Sequence, residues 1–238
     1  VWLSHGSDHG GSLRTPASFC GIVGLRPSPG RVPSSGPSSF ATEGVQGPMA
    51  RSVRDCALFL DAMSGFTPAV PVSYPWPVEG TFEAAVIEAE PKIGIAFSPD
   101  FNGMAQADTE VIDHLRNVLL RLQKEGATVE EACPELPDLE RTYHTLRGID
   151  MATAARRCPE EVSRHFKKTL AENMETGRRL TMDDVADANL GRTVIFNNMV
   201  SFLERHDVLA CPTVGCMPHP QSTEWVTEIA GQRLDGYM

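Results

Sequence analysis

The sequence lacks several features that would place a protein in a membrane or outside the cell. It has no run of about eighteen apolar residues, which a membrane helix requires, and no charged segment followed by an apolar leader. Asn-x-Ser/Thr glycosylation sites are also absent. We therefore expect a cytoplasmic protein with no membrane association.

Cysteine is present, but not in a spacing typical of metal sites or disulfide frameworks. None of the 6 cysteines forms a Cys-x-x-Cys pair. Cys211, Cys216 and His219 form the one grouping worth considering as a metal site, and it has no clear fourth ligand. We interpret this grouping as coincidence and the cysteines as reduced thiols, so no metal is expected.

Basic residues are outnumbered by acidic ones. The 238 residues include 21 Lys and Arg against 31 Asp and Glu, which gives a net charge of -10. This balance argues against a nucleic-acid partner. The pairs Arg156-Arg157 and Arg178-Arg179 are short and have acidic neighbours, as is typical of solvated helix faces. A hydrophobic content of 41% and this length predict a globular protein with a sizeable core.

The stretch from Gly6 to Arg14 carries the clearest chemical signal. An acyl-transfer site needs a hydroxyl to attack a carbonyl carbon and N–H groups that point at the resulting oxyanion. Gly10 and Gly11 can turn their amides into one small space because they carry no Cβ. We therefore predict Ser12 as the nucleophile. The predicted oxyanion donors are the backbone N–H groups of His9, Gly10, Gly11 and Ser12 itself.

Two other motifs fit the same stretch less well. A phosphate-binding loop needs lysine where Ser12 stands, and a nucleophile elbow needs a second glycine where Arg14 stands. An ordinary Gly/Ser turn without chemistry is the remaining structural alternative. The residues that follow the stretch favour the catalytic interpretation.

Two longer blocks closely resemble the amidase signature family. The first runs from Ser12 to Pro27 and into Gly30-Arg31-Val32, and the second runs from Gly47 to Ala57. A shorter similarity covers Asp207 to Thr213, so the resemblance extends over most of the chain. It implies hydrolysis of a carboxylic amide through a Ser–cis-Ser–Lys triad, with the acyl-enzyme on Ser12. It also implies that neither a metal nor an organic cofactor is needed.

The same resemblance implies two catalytic residues that this chain lacks. In the family, a neutral lysine activates the nucleophile through a bridging serine, and both come before the signature. The segment before Ser12 contains neither a lysine nor a second Gly-Ser-rich run. The lysines that are present, in other contexts, are Lys92, Lys124, Lys167 and Lys168. We therefore expect residues 1–238 to be a partial amidase signature domain, the central and C-terminal portion of a longer chain, and to be inactive alone.

Neighbours of the nucleophile are expected to support it. His9 stands where the family usually has threonine or an aliphatic residue, and we expect it to contribute only its main-chain N–H. Asp8 and Arg14 are predicted to tie the loop down by a charge-assisted hydrogen bond. Ser7 matches a Ser/Thr position whose hydroxyl, by resemblance, supports the bridging serine. Turn capping by Ser7 and Asp8 is the structural alternative.

The middle of the chain predicts an α/β fold. Ile93 to Phe97 reads as a buried strand, Asp108 to Glu125 as an amphipathic helix, and Ala127 to Glu131 as a second strand. Strand, helix and strand in this order form a parallel crossover, which requires a sheet covered by helices. We expect a mixed β-sheet between helical layers.

Further elements follow from capping and composition. Residues 26–48 and 66–80 read as loops, a helix runs from the capping residue Ser52 to Gly65, and a strand covers 208–211. Residues 138–205 form a largely helical insertion in which Thr181 caps a helix. The apolar residues predicted to face the core are Val53, Cys56, Ala57, Leu60 and Met63, then Val111, Ile112, Leu115, Val118, Leu119 and Leu122, and finally Phe166, Met182, Phe196, Met199 and Phe202.

The expected partner is a small-molecule amide, and a homodimer is one possible assembly. Two other functions stay open. The chain could belong to the amidotransferase branch of the same family, whose A subunit acts on charged tRNA, although Thr15 stands where that branch tends to carry glutamine. It could also be an inactive fragment or a binding module, but an intact Gly10-Gly11-Ser12 argues against degeneration.

Overall fold

A computed structural model describes residues 1–34, 39–75 and 81–234. The predicted loops 26–48 and 66–80 include residues 35–38 and 76–80, which lie outside the described residues. The strands are β1 (Leu3–Asp8), β2 (Val23–Gly24), β3 (Val45–Ala50), β4 (Gly94–Phe97), β5 (Thr128–Glu131), β6 (Val208–Ala210), β7 (Glu228–Ile229) and β8 (Gln232–Arg233). The helices are α1 (Arg14–Cys20), α2 (Val53–Met63), α3 (Thr81–Glu88), α4 (Thr109–Lys124), α5 (Leu139–Arg157), α6 (Glu160–Ser163), α7 (Lys168–Arg178) and α8 (Met182–Leu203).

An antiparallel sheet in the order β1-β3-β2 supports the glycine-rich stretch. Gly6 lies opposite Gly47, and Asp8 lies opposite Val45 at the end of β1. The sequence predicted a loop from Gly6 onward, but the chain is a strand as far as Asp8. Glycine, serine and aspartate are poor strand formers, and pairing with β3 overrides that local preference. Likewise β3 takes over the last part of the predicted loop 26–48.

Leu13 anchors the turn between β1 and α1 to this sheet. Leu13 is fully buried. A Cβ on Gly6 would lie 3.0 Å from the Leu13 side chain, and a Cβ on Gly47 would lie 2.6 Å from it. A Cβ on Gly24 would meet the Leu13 carbonyl oxygen at 2.3 Å. Because these three glycines come from the three strands, each strand leaves room for the same residue. This packing fixes the position of Ser12, the residue before Leu13.

A second, parallel sheet has the order β5-β4-β6. The predicted crossover is confirmed, since α4 connects the parallel strands β4 and β5. Ile95 and Phe97 of β4 pack with Leu119 of α4 to form a buried core. The strand predicted at 208–211 is confirmed as β6, which pairs parallel to the other side of β4. The α/β fold class is therefore confirmed, with the strands divided between parallel and antiparallel sheets.

The predicted capping residues are also confirmed. The Ser52 side chain accepts a hydrogen bond from the N–H of Asp55 at the start of α2. Thr181 and Asp184 form a complete capping box at the start of α8. The helices α5, α7 and α8 of the predicted insertion pack together. None of the described helices is both long enough and apolar enough to cross a membrane.

Several residues predicted to face the core are exposed instead. Val53 is in the first turn of α2 and is 57% exposed, and Val118 of α4 is 37% exposed. In α8, Phe202 is buried, whereas Phe196 is 65% exposed. Six residues correspond to about 240° of rotation around a helix, so these two side chains cannot face the same way. Met182, at the start of α8, is 80% exposed.

A substitution at Gly47 tests whether the sheet fixes the turn through Leu13. In Gly47→Ala, the new Cβ would lie 2.6 Å from Leu13 Cδ1 and 2.3 Å from the Leu25 carbonyl oxygen. We expect the free energy of unfolding to fall by about 2 kcal/mol, the usual cost of overpacking. Chemical denaturation of the chain measures it.

Gly65→Ala is the matched control, because a Cβ at Gly65 would meet nothing within 4 Å. We expect its unfolding free energy to change by less than about 0.5 kcal/mol. Equal stability of the two variants would contradict the proposed anchoring.

Candidate active site

The predicted nucleophile lies in a short turn between β1 and α1. Gly11 has a φ of 104°, in the left-handed region, and a Cβ there would meet Thr15 Oγ1 at 2.8 Å. The N–H of Thr15 donates to the Gly11 carbonyl at 2.7 Å and begins the helical turn. Ser12 is exposed, while Leu13 beside it is buried. The turn therefore presents the Ser12 side chain at the surface on a fixed backbone.

The Asp8 carboxylate holds this turn together. Asp8 is fully buried and accepts hydrogen bonds from the N–H groups of Gly11 at 2.9 Å and Leu13 at 3.2 Å. Arg14 donates to both carboxylate oxygens, through Nε and Nη2, at 3.0 Å each. The predicted charge-assisted hydrogen bond between Asp8 and Arg14 is thus confirmed, in bidentate form.

The pKa of Asp8 reflects two opposing effects. Burial alone would raise it, because a carboxylate loses its hydration. The hydrogen bonds from Arg14, Gly11 and Leu13, together with the charge of Arg14, outweigh burial and hold the pKa well below its usual range. The carboxylate is therefore ionised at any physiological pH.

A second arginine at this carboxylate was not predicted. Arg26 Nη1 donates to the backbone carbonyl of Asp8 and lies 3.2 Å from Asp8 Oδ1, and Nη2 donates to the Glu43 carbonyl at 2.7 Å. Arg26 belongs to the first block that carries the family resemblance. The sequence therefore singled out this region, but it did not show that Arg26 contacts Asp8. It connects the end of β1 to the segment before β3.

The backbone N–H groups of the turn divide into two sets. Those of Gly11 and Leu13 are occupied by Asp8. Within the described part of the chain, those of His9, Gly10 and Ser12 donate to no acceptor. Gly11 could serve an oxyanion only by sharing its N–H with Asp8. The structure thus narrows the set of predicted donors that are free.

Two residues of α5 contact His9, one at its backbone and one at its side chain. Its carbonyl accepts a hydrogen bond from the Tyr143 hydroxyl at 3.2 Å. Its side chain points toward Asp150, with 3.5 Å between His9 Nε2 and Asp150 Oδ2. Burial, followed by the positive charge of Arg147, lowers the pKa of His9. The imidazole is therefore predominantly neutral near pH 7.

Asp150 is the other unusual acid near the turn. Burial, helped by the negative charge of Glu43, raises the pKa of Asp150 to about 6. His9 and Asp150 both line a cavity of about 240 Å³. Tyr143, Arg147 and Asp150 are spaced four and three residues apart and so share one face of α5. That polar spacing is the sequence signal that could have identified them.

Ser7 and the lysines make no hydrogen bond to the turn in the described structure. Ser7 is exposed in β1, opposite Gln46. All four lysines are exposed, and three of them lie within 4.0 Å of a glutamate carboxylate. A lysine that acts as a neutral base must lose its hydration, and none of these does.

The cysteines carry neither a disulfide nor a metal cluster within the described residues. All six thiols are free, and Cys20 is exposed. No group of three His, Cys, Asp or Glu side chains in residues 1–34, 39–75 and 81–234 is arranged to hold a metal ion. His219, which the sequence grouped with Cys211 and Cys216, packs edge-on against Phe19.

Comparisons with known proteins agree with this architecture. The chain is 30% identical over 223 residues to an acylamidase of Rhodococcus erythropolis, covering 92% of this chain and 46% of the relative. It is 32% identical, over an alignment of 241 residues, to the A subunit of the glutamyl-tRNA(Gln) amidotransferase of Moorella thermoacetica, covering 90% and 48%. The chain thus spans about half the length of the curated relatives it matches.

A solved structure shares the fold. The crystal structure of a bacterial aryl acylamidase of the amidase signature enzymes superposes with a TM-score of 0.85, at 24% sequence identity, over 99% of this chain and 51% of that one. At this identity the likeness concerns the fold alone. A family model described as Amidase matches residues 1–236. The chain therefore belongs to the amidase family.

Proposed function

We propose that this chain supplies the nucleophile and part of the oxyanion hole of an enzyme that hydrolyses carboxylic amides. One observation carries the proposal: an exposed serine lies on a rigid turn whose neighbouring N–H groups, at Gly10 and Ser12, are free in the described structure. Relatives that are acylamidases and amidases support hydrolysis as the reaction. The activity is proposed for the whole protein, of which this chain covers half the length seen in its relatives.

The reaction proceeds through an acyl-enzyme. Ser12 Oγ attacks the amide carbonyl carbon as a base accepts its proton, and the negative charge on the carbonyl oxygen faces the N–H groups of Gly10 and Ser12. The tetrahedral intermediate collapses, and the amine or ammonia leaves with a proton from the protonated base. Water then attacks the ester on Ser12, which releases the acid and restores the hydroxyl.

Asp8 is a positioning residue in this scheme. It touches neither the substrate nor the hydroxyl, but its hydrogen bonds to Gly11 and Leu13 set the backbone on both sides of Ser12. His9 also acts through its backbone, whose carbonyl is fixed by Tyr143. Preorganised N–H donors matter because the enzyme then spends no free energy on orienting them during the reaction.

The general base is assigned to a lysine outside residues 1–238, relayed by a bridging serine, as the family resemblance implies. The exposure of Lys92, Lys124, Lys167 and Lys168 supports this assignment, since a lysine that acts as a base must be removed from water. No metal or organic cofactor takes part in the proposed reaction.

The second candidate is a component of an amidotransferase. It is favoured by a specific observation, the 32% identity to the A subunit of a glutamyl-tRNA(Gln) amidotransferase. In that case the same acyl-enzyme chemistry would release ammonia for transfer to a charged tRNA. Amide hydrolysis by the purified full-length protein without tRNA or partner subunits supports the first candidate over the second.

A fluorophosphonate probe tests the nucleophile. We expect prompt labelling of Ser12 in the full-length protein, and complete loss of labelling in Ser12→Ala, because the probe requires an activated hydroxyl. Mass spectrometry of the labelled peptide identifies the residue. Ser18→Ala, an exposed serine in α1, is the matched control and should label normally. Labelling that persists in Ser12→Ala would refute the assignment.

The isolated chain tests the assignment of the base. We expect residues 1–238 to fold but to show no measurable amide hydrolysis, because all their lysines are exposed and none is removed from water as a lysine base must be. Ammonia release from simple aliphatic and aryl amides measures this. Robust turnover by the isolated chain would mean that a base lies within these residues.

Replacing Asp8 by Asn tests the positioning role. We expect Asp8→Asn to lower the free energy of unfolding by about 3 kcal/mol at pH 7, since Arg14 and Arg26 lose a buried counter-charge. Labelling of Ser12 should also slow in the full-length protein. Because the folded pKa of Asp8 is depressed, its stabilisation is present above the unfolded pKa of about 4 and declines below it. The stability difference between the two proteins should therefore shrink as the pH falls below about 4.

Asp187→Asn is the control for this effect. Asp187 also pairs with an arginine, Arg141, at 3.2 Å, but both side chains are at least 60% exposed. Such surface pairs contribute about 0–1 kcal/mol. If the two variants lose equal stability, Asp8 does not hold the turn as proposed.

A further inference from the structure

The turn around Ser12 is held in place one peptide unit at a time. A trans peptide is planar, and its C=O and N–H bonds point in opposite directions, so a hydrogen bond at one end fixes the direction of the other. Every peptide unit from Asp8 to Leu13 has one end in such a hydrogen bond. The direction of each N–H group in the turn is therefore set by an identifiable partner.

These peptide units are held in two different ways. The Asp8 carboxylate accepts hydrogen bonds from the N–H groups of Gly11 and Leu13, so those two units are held at the N–H end. The other three are held at the carbonyl oxygens of Asp8, His9 and Gly11. The donors to these oxygens are, in the same order, Arg26 Nη1, the Tyr143 hydroxyl at 3.2 Å and the N–H of Thr15 at 2.7 Å.

The units held at the carbonyl end are those that carry the free N–H groups. The N–H groups of His9, Gly10 and Ser12 follow the three bonded carbonyls and donate to no acceptor within the described residues. A bonded carbonyl leaves the N–H of the same unit available and points it away from the partner. The candidate oxyanion donors are thus the N–H groups that the fold orients from behind.

The three donors to the carbonyls differ in what else they do. The Thr15 N–H belongs to the backbone of the first turn of α1. Arg26 also lies 3.2 Å from the Asp8 carboxylate, so its loss would leave a buried charge less compensated. Tyr143 alone reaches the turn from a distant element, α5, and forms no ion pair with Asp8. It can be altered while the Asp8 hydrogen bonds remain.

The Tyr143 hydroxyl is suited to donate to the His9 carbonyl. Arg147, one turn later in α5, hydrogen-bonds to the Tyr143 side chain. A guanidinium can only donate, so the hydroxyl oxygen accepts that bond and its hydrogen is available for His9. Burial raises the pKa of Tyr143, although the charge of Arg147 opposes this shift. The hydroxyl therefore keeps its proton near pH 7.

We propose that Tyr143 is a positioning residue for amide hydrolysis, because its hydroxyl holds the His9 carbonyl and so directs the N–H of Gly10 at the oxyanion. The inference rests on the proposed function, since it takes the oxyanion to form beside Ser12. In this role Tyr143 transfers no proton and acts only through the backbone. A helix more than 130 residues away in sequence thereby contributes to the reaction through one O–H group.

The variant Tyr143→Phe in the full-length protein tests this role, because it keeps the ring and removes only the hydroxyl. Fluorophosphonate labelling of Ser12 is followed at several probe concentrations, which separates the limiting rate constant, kinact, from the half-saturating concentration, KI. The probe oxygen gains negative charge as Ser12 attacks, as an amide oxygen would. We expect kinact to fall about tenfold, less than the roughly 10²–10³-fold cost of removing a donor, because the N–H is still present. KI should change by less than about twofold, since the N–H acts mainly in the transition state.

A backbone substitution separates positioning from a general structural effect. Glycolic acid in place of Gly10, introduced by nonsense suppression, turns the preceding amide into an ester and removes only this N–H. We expect the ester to lower kinact at least about a hundredfold. Adding Tyr143→Phe to the ester should then change kinact by less than about twofold, because there is no longer an N–H to direct.

Tyr74→Phe is the matched control for loss of a tyrosine hydroxyl. The Tyr74 ring lies 4.5 Å from the Arg31 guanidinium, and its hydroxyl makes no hydrogen bond within residues 1–34, 39–75 and 81–234. We expect kinact and KI of this variant to match those of the unmodified protein. Chemical denaturation confirms that each variant is folded.

Each result decides the inference. It is overturned if Tyr143→Phe leaves kinact unchanged, if KI rises as much as kinact falls, or if Tyr143→Phe still costs tenfold in the ester. Normal labelling of Ser12 in both the unmodified protein and Tyr143→Phe would reject the role of Tyr143 and leave the proposed function standing. Failure of the proposed function would differ, because Ser12 would not label even in the unmodified protein, and both would then be rejected.

Discussion

The structure around Ser12 depends on one buried charge. Asp8 has no exposed surface, and an isolated carboxylate in that position would cost several kcal/mol. The chain compensates with two N–H groups from the turn and two arginines, one from α1 and one from the segment after β2. Because these donors all contact the same carboxylate, Asp8 connects the turn, α1 and the segment after β2.

Local pattern was enough to predict the parallel layer and the helix caps. The strand, helix and strand from Gly94 to Glu131 follow apolar periodicity within forty residues, and each boundary carries its own signal. The helix caps at Ser52 and Thr181 follow from residue type and spacing in the same way. The pairing of Asp8 with Arg14 was likewise predicted from two residues six positions apart.

Features that combine distant segments were beyond such patterns. Gly6 to Asp8 was predicted as part of a loop, and only pairing with β3, some forty residues later, makes it a strand. The contacts of His9 with Tyr143 and Asp150 join positions more than 130 residues apart. Their partners are set by how α5 packs against the rest of the fold, which no local spacing specifies. Phe196 is a further example, because its local pattern predicted a core residue and the side chain is exposed.

The anchoring of Leu13 separates folding from chemistry at this turn. The side chain that fits among the three strand glycines belongs to Leu13, while the side chain assigned to the reaction belongs to its exposed neighbour Ser12. The turn would keep its shape if a single oxygen atom, Ser12 Oγ, were lost. The proposed chemistry and the scaffold of this turn therefore depend on different side chains, and the first could be lost while the second is kept.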